Sequence, residues 1–393
     1  MLSPIGERAL LDSSGTGKAL VKFISANDVG TTGSHQYGFY LPKAVWHMFS
    51  PNSPDNGVNK HHDVQIEWPD GFVTDSRVYW YGNRTRSEYR LTRFGHNFPW
   101  IRWNSDENVG DLLVLVPHSI NQFSAYVLNQ DDEIEELLAG LGIEVTDTWG
   151  FFDTSGVPEE IEDNCLSHKF REFVQDLNAL PSGAVFSQTT INALTECIEN
   201  FNRNDADTKL LRLMREEYNL YRMAEKVVFE PNIQRIYTSI EDFLNTANSI
   251  LQSRKSRAGR SLENHVEYIL TQAEIPFSIR PTVDRTKPDF IIPGAAQYND
   301  IHFPTEDLFM VGVKRTCKDR WRQITREAPR IRQKHLLTLQ PGISSNQFRE
   351  MQSSHISLVV PKQYHSDFPV EARSSLLSIE SFLDILNAHN YHG

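Results

Sequence analysis

Lys287-Pro288-Asp289-Phe290-Ile291-Ile292 and, further on, Leu308-Phe309-Met310-Val311-Gly312-Val313-Lys314 are two short apolar runs, each with a charged residue at one end. Runs of this length, bounded by Pro and polar residues, read as buried strands. Asp289 opens the first strand and Lys314, twenty-five residues later, closes the second. If the two strands pair, the carboxylate and the ammonium meet at one edge of a sheet. A hard cation such as Mg²⁺ takes oxygen ligands and keeps several waters, so one or two carboxylates plus a substrate phosphate complete its shell. Such an ion lowers the pKa of an attacking water, and a lysine beside it can orient or polarise that water. The chemistry suggested is phosphodiester hydrolysis.

A second acid is usual two residues before such a lysine, and Gly312 stands there instead. Glu327, thirteen residues after Lys314, falls on the next expected helix and could fill the vacated place. Lys318-Asp319-Arg320 opens that helix. Arg or Lys can donate to guanine O6 and N7, and Asp can accept from cytosine N4, so the run suits base edges. Taken alone, Pro-Asp is an ordinary turn dipeptide and Lys314 a solvated strand end.

The surrounding composition is that of a globular chain. Its 393 residues allow two domains, with 23% charged and 39% apolar residues. No apolar run approaches the ~18 residues of a membrane span, and the N-terminus lacks a signal-peptide pattern. Cys165, Cys197 and Cys317 are far apart and predict neither a disulfide nor a metal site, which fits a reducing cytoplasm. The net charge of −12 is unevenly spread. Residues 1–165 hold 11 basic and 24 acidic residues, the rest 28 and 27. Asp106 to Asp163 carries 15 acids and no base, whereas Arg77 to Arg102 carries six arginines and one glutamate. Segregation of this kind lets an acidic protein offer basic surfaces to a polyanion.

From Lys18 to about Leu128 short alternating runs separated by Gly, Pro, Asn and Asp predict a β-barrel or sandwich. Residues 131–145 predict an acidic helix that stops at glycine. Asp153 to Gly183 reads as a linker region, with the linker proper at 166–182. Helical spacing follows from Ser187, with a helix at Ser239–Leu251, a basic segment Ser253–Arg260 suited to phosphate contacts, and Ser261 as the cap of another helix. Strands at Phe277–Arg280, Phe290–Ile292, Leu308–Lys314, His335–Leu339 and Ile356–Val360, with helices near 320–334 and 376–388, predict a mixed sheet flanked by helices.

The stretch Ser253–Glu263, then KPDFIIPG, then VKRTCKDRWRQI through Glu327, resembles the catalytic domain of EcoRII-type (type IIE) restriction endonucleases. Ser25–Gln36 and Arg84–Arg93 resemble that family's N-terminal effector-binding domain. The resemblance covers most of the chain and is weakest in 103–240. It implies a two-domain fold: a mostly-β, B3-like pseudobarrel at 1–165, the linker, and an α/β PD-(D/E)XK nuclease domain at 183–393. The implied activity is Mg²⁺-dependent hydrolysis of double-stranded DNA by a homodimer at a CCWGG-like site, with autoinhibition relieved by effector DNA. A companion DNA methyltransferase would act on the same site.

By the same resemblance Asp289, Lys314 and Glu327 are the catalytic set, with Asp289 and Glu327 holding metal, and Glu263 and Tyr298 lie near it. Lys318, Asp319 and Arg320 read the C:G pairs. Tyr218 takes the tyrosine place of a flipped-base pocket. Met214, next to Arg215, falls where the family has arginine, so either the register shifts or the Met214 sulfur contacts the base. His35, Tyr40, Arg84, Arg86, Glu88 and Arg90 match two effector-clasping arms, in which Tyr89 replaces a basic residue. Two other readings remain: a DNA-binding protein with an inactive nuclease fold, and a repair nuclease of loose sequence preference.

Overall fold

The computed structural model describes residues 2–32, 37–50, 58–82, 88–95, 97–155 and 164–389. These form two compact units. The first opens with a helix that the strand-rich reading passed over, α1 (Pro4–Thr16), whose start is set by Ser3 as N-cap and Pro4 in the first turn. An eight-stranded sheet follows, made of β1 (Lys18–Phe23), β2 (Phe39–Leu41), β3 (Lys60–Glu67), β4 (Val73–Tyr81), β5 (Glu88–Thr92), β6 (Leu112–Pro117), β7 (Gln122–Leu128) and β8 (Trp149–Asp153). Its order is β2-β5-β4-β3-β7-β6-β1-β8. The acidic helix α2 (Asp131–Leu141) ends at Gly142, which supplies the left-handed φ of 66°.

Alternation along β1 and β6 buries both faces of this sheet. Leu20, Leu113 and Leu115 point into an aromatic-rich core with Phe39, Trp68 and Phe94. Ala19, Val21, Leu112 and Val114 point the other way, into a core with Ile134, Leu137 and Leu141 of α2. Among the described residues, β2 and β8 each pair with one strand, so the sheet is an open half-barrel rather than a closed barrel.

The second unit begins with α3 (Asn164–Val174), α4 (Gly183–Cys197), α5 (Ala206–Ile233) and α6 (Ile240–Gln272). The segment expected as linker therefore carries most of a helix. Leu166, Phe170 and Val174 are buried with Phe186, Leu194, Leu213 and Leu220 in one core. Cys165 and Cys197 are joined as a disulfide, contrary to the expectation that the three cysteines stay unpaired; their Cα atoms are 5.6 Å apart because α3 and the end of α4 pack side by side. Helix α6 is continuous where two helices and a basic connection were expected. Ser261 is fully buried inside it and caps nothing.

The remainder is β9 (Ser278–Ile279), β10 (Phe290–Ile292), α7 (Ala295–Asn299), β11 (Phe309–Lys314), α8 (Trp321–Ile324), β12 (Lys334–Thr338), α9 (Ser345–Ser353), β13 (Ile356–Val359), α10 (Val370–Arg373) and α11 (Ile379–Ala388). The five strands form the expected mixed sheet in the order β13-β12-β11-β10-β9, with β11, β12 and β13 parallel and β9 and β10 antiparallel to their neighbours. Gln340–Gln352, between β12 and β13, and Tyr364–Ser375, after β13, belong to the first unit. There the Asp106 carboxylate accepts from the Ser345 backbone N–H at 2.9 Å, and the Gln340 amide donates to the Gly110 carbonyl at 3.1 Å. Among the described residues no helix is long and apolar enough to cross a membrane.

Candidate active site

Strands β10 and β11 pair antiparallel, Phe290 opposite Val311, which sets Asp289 beside the end of β11. The Asp289 carboxylate accepts from the Val313 backbone N–H at 2.8 Å and from the Lys314 ammonium at 2.9 Å. The meeting of carboxylate and ammonium expected from the two strands is thus present. Both side chains are mostly buried, at 12% and 20% exposure, so their attraction is little screened by solvent.

Gly312 is a glycine for a packing reason. A Cβ there would lie 2.7 Å from Ile324 Cγ2, and Ile324 is fully buried. An acid at that position cannot coexist with the short helix α8 in its present place. Glu327 is not on that helix, which stops at Ile324; it lies in the turn that follows, its N–H donating to the Ile324 carbonyl at 3.1 Å. Burial pushes the Glu327 carboxyl up to about 7, the Asp289 charge adds to the rise, and Lys314 and Lys334 oppose it. Gly312→Glu, which restores the usual pair of acids, should therefore cost about 1–3 kcal/mol by overpacking. Ile324→Ala on top should recover part of that loss, as read by thermal melting.

Glu263 on α6 joins the set. Arg280 donates to it, burial raises its pKa, and Asp289 raises it further. Tyr298 is buried, but its hydroxyl is committed elsewhere: it donates to Asp284 at 2.5 Å and accepts from the Arg330 N–H at 3.2 Å. Together with the Thr286 hydroxyl, which accepts from the Ala328 N–H at 3.1 Å, it fastens the turn that carries Glu327. Sequence reasoning missed Lys334 and Arg280. Lys334 is buried, donates to the Ile331 carbonyl, and has its pKa lowered by burial. Arg280 closes the expected strand Phe277–Arg280, and Lys334 immediately precedes the expected strand His335–Leu339.

Among the described residues no three His, Cys, Asp or Glu side chains gather to hold a metal. Two carboxylates are nonetheless a fitting donor set for Mg²⁺, which needs few protein ligands. Their mutual repulsion, visible in Glu327, is what a hard cation relieves.

Two family models match the chain. One, described as EcoRII C terminal, matches residues 221–383, and the other, restriction endonuclease EcoRII N-terminal, matches residues 14–145. The type II restriction enzyme EcoRII of Escherichia coli is 32% identical over 393 aligned residues, spanning 92% of this chain and 92% of that protein. The chain belongs to the EcoRII family of type II restriction endonucleases. The type II restriction enzyme SsoII of Shigella sonnei is 25% identical over 183 residues, 41% of this chain and 59% of that enzyme. Among solved structures, a restriction endonuclease PspGI–substrate DNA complex is similar at 17% identity and a TM-score of 0.45, covering 53% of this chain and 93% of that one. Metal-depleted Ecl18kI in complex with uncleaved, modified DNA is similar at 18% identity and a TM-score of 0.42, covering 57% and 84%.

The other residues matched to the EcoRII family are placed unevenly. Asp319 is exposed, Arg320 half-buried, and Lys318 buried at 5% exposure. Arg215 and Tyr218 are half-buried three residues apart on α5. Met214 is fully buried with its sulfur 3.5 Å from Ser261 Oγ, so it faces the core and not a base. The guanidinium over Tyr218 comes instead from α6: Arg257 lies 5.7 Å from the Tyr218 ring and 4.9 Å from that of Tyr221. Arg257 is buried and Arg254 forks onto Glu225 at 2.6 and 3.0 Å, so these two basic residues build the helix pair where solvated phosphate contacts were expected.

In the first unit, His35, Arg84 and Arg86 lie outside the described residues. Tyr40 is exposed on β2 opposite Arg90 of β5, and Arg90 is buried, its Nε donating to Glu88 at 3.2 Å. Tyr89 packs between Trp46 and Trp80 at centroid distances of 4.4 and 4.2 Å; it belongs to the core rather than to an arm.

Proposed function

We propose that this chain is a homodimeric, Mg²⁺-dependent endonuclease that hydrolyses double-stranded DNA at a CCWGG-like site, regulated by a second copy of the site bound to its N-terminal unit as effector. Its catalytic set is Asp289, Lys314 and Glu327. The observation that supports the reading is the Asp289–Lys314 ion pair at the end of β11, with the half-buried Glu327 coupled by charge to both. Asp289 and Glu327 would hold the Mg²⁺, which supplies charge neutralisation at the phosphate and a more acidic water. Lys314, held by Asp289, keeps an ammonium where negative charge develops on the phosphoryl oxygens. Glu263 with Arg280, and Tyr298 through Asp284 and Arg330, position the segments on either side.

Two cuts in a near-palindrome call for two such sites related by a two-fold axis, hence the dimer. The exposed Asp319 and the adjoining Arg320 support readout of C:G pairs, whereas Lys318 beside them is buried. Tyr218, Arg215 and Arg257 are the residues proposed to meet a flipped central base, which unstacking and aromatic contact make energetically accessible. Tyr40, Glu88 and Arg90, with His35, Arg84 and Arg86, remain the proposed effector contacts. An intracellular, cytoplasmic setting suits a partner methyltransferase that protects host DNA at the same sequence.

Incubating the protein with plasmid and Mg²⁺ and mapping the cut ends tests this reading. Discrete fragments ending at one short sequence, lost with EDTA, are expected. Random nicking would mark a repair-type nuclease, and binding without cutting an inactive fold. Arg320→Ala should cost roughly 1–3 kcal/mol of discrimination at a C:G pair, measured as cognate against substituted-site cleavage. Equal weakening on cognate and random DNA would remove Arg320 from the readout.

A further inference from the structure

Among the described residues nine that are not glycine hold a left-handed φ. Four of them, Arg280, Asp284, Arg285 and Ala328, stand between β9 and β10 or directly after Glu327. Such backbone is costly for a residue with a side chain, and it gathers where the surrounding structure enforces it for a purpose. At its centre is a tight reversal. The Thr286 N–H donates to the Val283 carbonyl at 2.7 Å, and the Val283 N–H to the Thr286 carbonyl at 3.0 Å. The two residues enclosed, Asp284 and Arg285, have φ of 45° and 62°. A two-residue turn with both central positions left-handed normally takes Asn, Asp or Gly. Asp284 suits it. Arg285 does not, and glycine would sit there with less strain.

The turn is anchored to both acids of the site. Asp284 accepts from the Tyr298 hydroxyl at 2.5 Å. The Thr286 hydroxyl donates to the Val283 carbonyl at 2.8 Å and accepts from the Ala328 N–H, next to Glu327, at 3.1 Å. The Arg280 N–H donates to the Asp289 carbonyl at 2.8 Å. From this fixed platform Arg285 and Lys287 are exposed, and no acid among the described residues pairs with either. Arg280 and Arg254, by contrast, are tied to Glu263 and Glu225. Residues 280–288 carry three basic side chains and one acid.

We propose that Arg285 and Lys287 hold backbone phosphates of the DNA beside the bond to be cut, making the turn a phosphate grip that registers the strand against the acids. The inference rests on the endonuclease reading above. Lys287 and Arg285 are two and four residues from Asp289, at most ~7 and ~14 Å along the chain. One DNA strand presents a phosphate every ~3.4 Å of axis, so the neighbours of the scissile phosphate fall within that span. Contacts of this kind fix position and carry no sequence information. A cation kept where glycine would be less strained, and left without a partner in its own chain, has its use outside it.

The test is cleavage of a two-site plasmid by the full chain carrying Arg285→Gly, Arg285→Lys, Lys287→Gln or Arg285→Gly with Lys287→Gln, followed across salt concentration and alongside thermal melting. Every variant keeps the N-terminal unit, so differences report the turn. Arg285→Gly is expected to melt at or above the native temperature, because glycine relieves the left-handed strain. It should nevertheless raise KM with kcat nearly unchanged, the mark of lost uniform binding. Each neutralised residue should flatten the slope of log kcat/KM against log salt by about one, and the pair by about two. Arg285→Lys should recover most of the KM and the slope. A glycine variant with native KM and slope would overturn the proposal. So would one that loses affinity together with melting temperature and is not rescued by lysine, since the arginine would then serve the fold. A native chain that binds DNA without cutting it overturns the endonuclease reading alone, and the turn is then judged by the same slopes in equilibrium binding. A chain that binds no DNA overturns both.

Discussion

Asp289→Ala and Glu327→Ala should each lower cleavage by roughly 10³-fold or more while leaving cognate binding, measured by gel shift, within a few-fold of native. Asp289 has two duties, since the same oxygen accepts from the Val313 N–H and from Lys314. Its removal therefore also frees the ammonium, and Asp289→Asn, which keeps the backbone contact, should be nearly as inactive and better folded. Glu327 gives a further readout. Its carboxyl is pushed up to about 7 by burial and by Asp289, so the protonated form gains as pH falls through 7. Only the ionised form attracts a cation, so the Mg²⁺ concentration needed for half-maximal cleavage should climb as pH drops from 8 to 6. Replacing Glu327 by Gln should flatten that climb along with the activity. Near-native cutting by Glu327→Ala would assign its place to another acid, with Glu263 the nearest by charge coupling to Asp289.

The part of this site that was legible in the sequence is the part written in strand pattern. Asp289 and Lys314 terminate apolar runs, and pairing of those runs dictates that they meet. Glu327 was legible as an acid at the right distance along the chain. Its seat in a turn was not, because the turn is held by Tyr298 and Thr286, contacts 32 and 42 residues distant in sequence. Gly312 could be seen as a departure but not explained until Ile324 was found occupying the space of its side chain. Charged residues misled most. Arg90, Arg254, Arg257 and Lys318 read as surface groups facing a polyanion, yet each is buried or ion-paired. Composition counts charge without its partners, and a guanidinium on Glu225 or Glu88 leaves no trace in local spacing. The Cys165–Cys197 pair was missed for the same reason, being made by the packing of two helices rather than by a motif.

A fragment that starts at residue 158 should cut DNA bearing a single site faster than the full chain does, by about 5–150-fold, the range of an ordinary coupling free energy between sites. The starting point matters. Beginning at Pro181 would discard α3, and with it the buried side chains of Leu166, Phe170 and Val174, each worth about 1.5–3 kcal/mol of burial. That shorter piece should be inactive through unfolding, a result that would say nothing about inhibition. Even the longer fragment gives something up, because Gln340–Gln352 and Tyr364–Ser375 are packed with the first unit. Loss of the Asp106 contact to Ser345 and of the Gln340 contact to Gly110 should lower its melting temperature. These segments connect β12 to β13 and β13 to α11. Under the proposed regulation, an effector acts on catalysis only if its affinity differs between two states of the chain. The full chain should accordingly need a second site, in cis or added as an oligonucleotide. If instead it cuts a one-site plasmid to completion at low concentration, unaided and as fast as the fragment, the first unit is an anchor and not a brake.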